Sequence, residues 1–150
     1  MRTNPPDKEG ARGSVILIAS TSGYFGGTGV VGYISSKHGV VGLCRSSQRK
    51  ANEFGVRVNV VAPFFTPTYI TGGYSDEWRK RGLPANTVGD VAKAVVETSM
   101  DPQRKGHSVM VSLHCYLIRI LGNLLMCTGR RESCKRDRDR IQWDDETMAW

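Results

Sequence analysis

Little in this sequence is repeated, paired or continuously apolar. Its four cysteines, Cys44, Cys115, Cys127 and Cys134, are irregularly spaced, form no C-x-x-C and do not combine with histidines at zinc-finger spacing. A disulfide framework and a metal site are therefore not expected, and the thiols read as buried or incidental ones in a reducing compartment. The N-terminal MRTNPPDKEG has charges and two prolines where a secretory signal needs an apolar run, so the expected location is cytoplasmic. The most apolar stretch, 109–127, is interrupted by His114, Arg119 and Asn123, whereas a spanning helix wants about 20 residues largely free of charge. No internal repeat is found. With 39% hydrophobic and 23% charged residues, the composition excludes collagen-like and disordered classes, and 150 residues predict about one domain.

Negative charge is in short supply, leaving a net charge of +7. Such an excess favours anionic partners only where it is concentrated. The tail 129–150 is balanced, whereas Lys37, Arg45, Arg49, Lys50 and Arg57 face only Glu53 across 37–57. This stretch is a candidate nucleic-acid face. No aromatic or zinc-ligand pattern is interleaved with it, so a solvated helix surface is the preferred reading and no nucleic-acid partner is expected.

What is present has α/β order. After a polar lead over 1–13, the run SVILIA (14–19) is short, β-branched and closed by Ser20, Thr21, Ser22 and Gly23, which predicts a buried strand. Val41, Cys44, Gln48 and Ala51 recur at helical spacing within 30–54, and Gly55 stops that helix. VRVNVVA (56–62) predicts a second strand, halted by Pro63. An aromatic, Gly/Pro-punctuated loop follows. Thr87 caps a helix to about Ser99 with Val88, Val91, Ala92, Val95 and Val96 on its apolar face, and HSVMV (107–111) predicts a third strand. The order implies parallel strands with crossover helices. Beyond Val111, Leu113, Leu117, Ile120, Leu121, Leu124 and Leu125 predict an amphipathic helix, followed by a charged tail that makes up the rest of 112–150.

Two motifs bear on chemistry. GTGVVG (27–32) satisfies the letter of a dinucleotide phosphate loop. It begins several residues past the strand end, and the next strand ends in Ala62 and Pro63 where an acid would be needed for a ribose hydroxyl, so a flexible glycine loop is the preferred reading. In YISSK (33–37), Tyr33 and Lys37 lie one helical turn apart on one face. An ammonium beside a phenol stabilises the phenolate, which suits general acid/base work. Ser20, at the end of the preceding strand, can bring a hydroxyl to the same place.

Taken in order, SVILIASTSG, YISSKHGVVGL, GVRVNVVAPFFTPT and TVGDVAKAVV resemble the short-chain dehydrogenase/reductase family over roughly 12–111, most of all fungal oxidoreductases related to 15-hydroxyprostaglandin dehydrogenases. The resemblance implies the second half of a doubly wound, Rossmann-like parallel sheet, with about three strands and two main helices. It implies a reversible hydride transfer between a hydroxyl-bearing carbon and NAD or NADP. Ser20 matches the serine that hydrogen-bonds the substrate oxygen, Tyr33 the general acid/base, and Lys37 the residue that binds nicotinamide ribose hydroxyls and assists the tyrosine. Pro63, Phe64 and Thr68 match the segment holding the nicotinamide end, with Phe64 where the family usually has glycine. Ser22, Phe65, Tyr69 and Trp78 fall in the substrate region, where these rings with Phe64 and Tyr74 predict either an apolar alcohol or ketone substrate under a mobile lid or simple packing onto the sheet. Arg79, Lys80 and Arg81 read as a solvated run.

The family's TGxxxGxG segment, NNAG-type strand and catalytic asparagine have no counterpart among these residues. The expectation is a truncated catalytic half with impaired activity and weak cofactor binding, a homo-oligomer being possible. A non-catalytic fragment that pairs its open sheet edge or its 113–125 helix with another protein is the alternative of a different class.

Overall fold

A computed structural model describes residues 4–8, 10–25, 30–112, 115–121 and 124–127. Five strands form one sheet in the order β1 (Gly13–Ile18), β2 (Val56–Pro63), β3 (Ser108–Ser112), β4 (Cys115–Leu121) and β5 (Leu124–Cys127). β1 pairs with β2 and β2 with β3 in parallel, Val15 opposite Val58 and Val61 opposite Val109. The last two strands run antiparallel to their neighbours. The expected amphipathic helix over 113–125 is therefore corrected. Alternate residues of Cys115–Leu121 fall on opposite faces of a strand, and its isoleucines and leucines suit a sheet as well as a helix stripe. The expected charged tail, 128–150, lies outside the described residues.

Helix α1 (Val31–Glu53) connects β1 to β2, and α3 (Val88–Met100) precedes β3. They cover opposite faces because residues alternate along β2. Val58, Val60 and Ala62 pack with Val41, Cys44 and Ala51 of α1, whereas Val61 packs with Ala94 of α3 and Val109 and Val111 of β3. The apolar face of α3 is Val91, Ala94 and Val95 with buried Thr98, and Val88, Ala92 and Val96, expected on that face, are exposed. This is an α/β, doubly wound, Rossmann-like arrangement, with two antiparallel strands appended to its parallel part.

Polar groups tie the layers together. Arg57, from the basic stretch, is buried and donates to the carbonyls of Asp101 at 2.7 Å and Ser99 at 2.9 Å, closing the C-terminal end of α3. Asn59, fully buried, donates to Arg104 O and accepts from His107 N–H, both at 2.9 Å. Burial pushes the Cys44 thiol up, so it behaves as a small apolar group in the core.

At the other end of α3, the Thr87 side chain accepts from Asp90 N–H at 3.1 Å while the Asp90 carboxylate accepts from Thr87 N–H at 2.9 Å. The carboxylate also accepts from the Thr87 hydroxyl at 2.7 Å, and the two bonds it accepts hold the Asp90 carboxyl below its ordinary value, the backbone bond from Thr87 contributing most. A lowered folded-state value means the contribution is complete above the ordinary carboxylate range and is lost as pH falls through the folded value. Asp90→Asn is expected to remove that component from the acid limb of a stability-against-pH curve while leaving the alkaline limb unchanged. A denaturation series in buffers from pH 7 down to pH 2 checks it.

Candidate functional site

Sequential bonding brings Ser20 to the carboxyl end of β1. Ala19 N–H continues the ladder to Val61 O at 2.9 Å, and Ser20 then turns with extended backbone to head a short 3-10 turn, Thr21–Gly23. Its buried hydroxyl accepts from Ser22 N–H at 3.2 Å and donates to Pro63 O, at the end of β2, at 3.4 Å. The turn thus fixes the hydroxyl between two strand ends, and Ser22 takes part through its backbone.

Tyr33 and Lys37 occupy the first two turns of α1. Lys37 Nζ donates to Ile18 O at 3.2 Å and lies 5.5 Å from the centre of the Tyr33 ring. Ile18 is two residues before Ser20, so serine, tyrosine and lysine gather at one strand end, where ligands bind in sheets of this kind. Tyr33 is 50% exposed and open to a ligand. Tyr24, nearby in sequence, is different: its hydroxyl is bonded to Ser108, and burial pushes its phenol up. Of these two phenols, that of Tyr33 is the exposed one.

Gly23 makes this gathering possible. A Cβ there would lie 2.8 Å from Lys37 O and 3.1 Å from Val41 Cγ2, so only a residue without one lets the turn rest on α1. Neither periodicity nor the Tyr-x-x-x-Lys spacing reveals this contact. Of GTGVVG, residues 27–29 lie outside the described residues, while Val30 and Val31 lead into the helix, which has no side-chain cap at its start.

Past Pro63, both backbone groups of Phe64 are engaged: its N–H donates to Val111 O at 2.9 Å, and its carbonyl accepts from Thr66 Oγ1 at 2.9 Å. Thr68 is exposed and leads a second 3-10 turn, Tyr69–Thr71, giving its N–H to Thr71 Oγ1 at 2.7 Å. The expected loop contains a helix, α2 (Gly72–Lys80), which the two adjacent glycines conceal from a propensity reading. Its Trp78 is buried, stacks on Phe65 with ring centres 4.2 Å apart, meets Phe64 edge-on at 5.8 Å and donates its indole N–H to Pro84 O at 2.8 Å. Tyr69 is fully exposed and Tyr74 is 62% exposed. Arg79, paired with Asp76 at 2.7 Å, is solvated with its neighbours.

Among the described residues no cluster of His, Cys, Asp and Glu could hold a metal ion, and no helix is long and apolar enough to cross a membrane. The strand-end serine, the tyrosine and lysine one turn apart and the parallel sheet coincide with a family match: the short chain dehydrogenase model matches residues 2–79. The chain belongs to the short-chain dehydrogenase family. It is 36% identical over 103 residues to the 3-oxoacyl-[acyl-carrier-protein] reductase of Bos taurus, covering 67% of this chain and 44% of that protein. It is 40% identical over 68 residues to short-chain dehydrogenase reductase 4 of Arabidopsis thaliana, covering 45% of this chain and 23% of that one. The solved structure of 3-hydroxyacyl-CoA dehydrogenase type-2 from Mycobacterium avium superposes with a TM-score of 0.65 at 27% identity, covering 73% of this chain and 45% of that one. This short-chain dehydrogenase chain therefore spans less than half the length of these relatives.

Proposed function

We propose that this chain carries the proton-transfer and substrate-side residues of an NAD(P)-dependent oxidoreductase that interconverts an apolar alcohol and its ketone. The observation that carries the reading is the Lys37 ammonium, held by Ile18 O at 3.2 Å and set 5.5 Å from the ring of an accessible Tyr33, at the strand end that also presents Ser20. In this reading Tyr33 passes its proton to the carbonyl oxygen during reduction and takes it back during oxidation. Ser20 releases its 3.4 Å bond to Pro63 O and donates to the same oxygen. Lys37 places positive charge beside the phenol and offers its remaining N–H groups to ribose hydroxyls.

A nicotinamide cofactor, NAD or NADP, would supply or accept the hydride. The residues present fit one end of it: Tyr33 is open and Lys37 has donors left over. In this reading Pro63 and Thr68 would border that end, while the Phe64 amide is committed to Val111 O, so a contact there falls to side chains and van der Waals packing. Phe64, Phe65 and Trp78 form an apolar wall one residue beyond the carbonyl that holds Ser20, which suits an apolar substrate. Two relatives are named as acting on 3-oxoacyl and 3-hydroxyacyl groups, a carbonyl and alcohol pair of this kind.

The 150-residue chain alone is expected to bind NADH and NADPH weakly or not at all, because the residues assigned here reach only the nicotinamide end. Fluorescence titration of each reduced cofactor with the chain tests this. Micromolar affinity would show that these residues hold far more of the cofactor than the site suggests.

A further inference from the structure

Asn86 lies just before the Thr87 cap of α3, is 3% exposed and belongs to no element of the proposed chemistry. Its backbone N–H donates to Phe65 O at 2.8 Å, and its side-chain Nδ2 donates to Val111 O at 2.8 Å and towards Phe64 O at 3.5 Å. Val111 O also receives Phe64 N–H, so a single carbonyl at the end of β3 is shared by Asn86 and Phe64. The residue before Phe64 is Pro63, whose carbonyl accepts the Ser20 hydroxyl. A continuous set of bonds therefore runs from Asn86 through Phe64 and Pro63 to Ser20. Among the described residues the Asn86 Oδ1 is buried without a hydrogen-bond partner, a cost that an apolar residue of the same shape would not carry.

We propose that Asn86 is a positioning residue, which locks Phe64 and Phe65 to the end of β3 and thereby sets the Pro63 carbonyl that orients Ser20. The assignment rests on the oxidoreductase reading for its functional meaning, but the coupling itself is a property of the chain alone. The amide adds a side-chain bond to the joint between β2 and the aromatic wall that Phe64 N–H already makes with Val111 O. Loss of the donors would let Pro63 and Phe64 drift as a unit, taking the acceptor of the Ser20 hydroxyl with them.

Amide NMR spectra and hydrogen exchange on the full chain test this, comparing wild type with Asn86→Leu and the milder Asn86→Ser. Thr98→Ala serves as the control, since Thr98 is buried at the far end of α3 and bonds Arg104. The Asn86 variants are expected to shift the Phe64, Phe65, Ser20 and Ser22 amides and to speed exchange at Phe64 N–H about tenfold or more relative to the β2 amides. The control, which lowers stability without touching Phe64, is expected to produce neither effect. Unmoved Ser20 and Ser22 amides in Asn86→Ser, or the same pattern in Thr98→Ala, would overturn the positioning role. Because these readouts need no turnover, a failed activity assay would count against the oxidoreductase reading and not against this coupling.

Discussion

Replacing Tyr33 with phenylalanine is expected to cut turnover by about 100-fold to 10,000-fold, the usual contribution of a positioned proton donor. The substitution removes one oxygen from a side chain that is half-exposed and whose ring serves no core cluster, so the fold is expected to keep its stability to within about 0.5 kcal/mol. The assay protein is this chain joined to the part of the Mycobacterium avium dehydrogenase that it does not cover, with an apolar ketone and NADH or NADPH. Undiminished activity in Tyr33→Phe would remove the tyrosine from the chemistry. Loss of activity together with loss of folding would instead mean that its hydroxyl holds the structure.

Gly23→Ala is expected to have the second large effect, and through a different cause. The added Cβ meets the backbone carbonyl of Lys37 at 2.8 Å, with its carbonyl carbon and Val41 Cγ2 both at 3.1 Å. A helix backbone cannot swing aside as the tip of a long side chain can, so either the turn bearing Ser20 or the first half of α1 must shift. Overpacking of this kind costs about 1–3 kcal/mol. It would also separate Ser20 from the Tyr33 and Lys37 pair, so activity is expected to fall further than stability alone explains. Gly39 provides the comparison: it stands in the same helix with open space where a Cβ would be, and Gly39→Ala is expected to be neutral or stabilising by up to about 1 kcal/mol. Equal behaviour of the two alanine variants in chemical denaturation would refute the close-packing account.

The contrast between these glycines shows where the sequence was legible. Val41, Cys44 and Ala51 at helical spacing located the buried face of α1, and the β-branched runs at 14–19 and 56–62 located two parallel strands to within a residue, because burial imposes periodicity. Tyr33 and Lys37 could be placed together because a four-residue separation on a helix is itself a distance. Gly23, Asn86 and the Ile18 carbonyl could not be found in that way: each acts through a contact with residues distant in sequence, and none leaves a periodic trace. The aromatic segment 64–86 was only half legible for the same reason. Ring content predicted an apolar surface, but only tertiary packing separates buried Trp78 from exposed Tyr69. The stretch after Val111 was misread because leucines and isoleucines spaced for a helix can also alternate across a strand, and here pairing with β3 decided the outcome.

The basic excess changes meaning in the same light. Lys37 donates to Ile18 O beside Tyr33, Lys50 pairs with Glu53 at 2.6 Å, and Arg57 is turned inward to close α3, so three of the five basic residues in 37–57 have partners within the chain.

The most direct measurement of the central claim is isotope transfer. The same joined protein is given an apolar ketone and a reduced nicotinamide cofactor deuterated at the transferable position, and the product alcohol is examined by mass spectrometry. Deuterium on the carbinol carbon with the wild-type site, and its loss with Tyr33→Phe, is the expected result. An unlabelled product, or labelling that persists undiminished without the Tyr33 hydroxyl, would contradict the assignment of Ser20, Tyr33 and Lys37 to a carbonyl reduction.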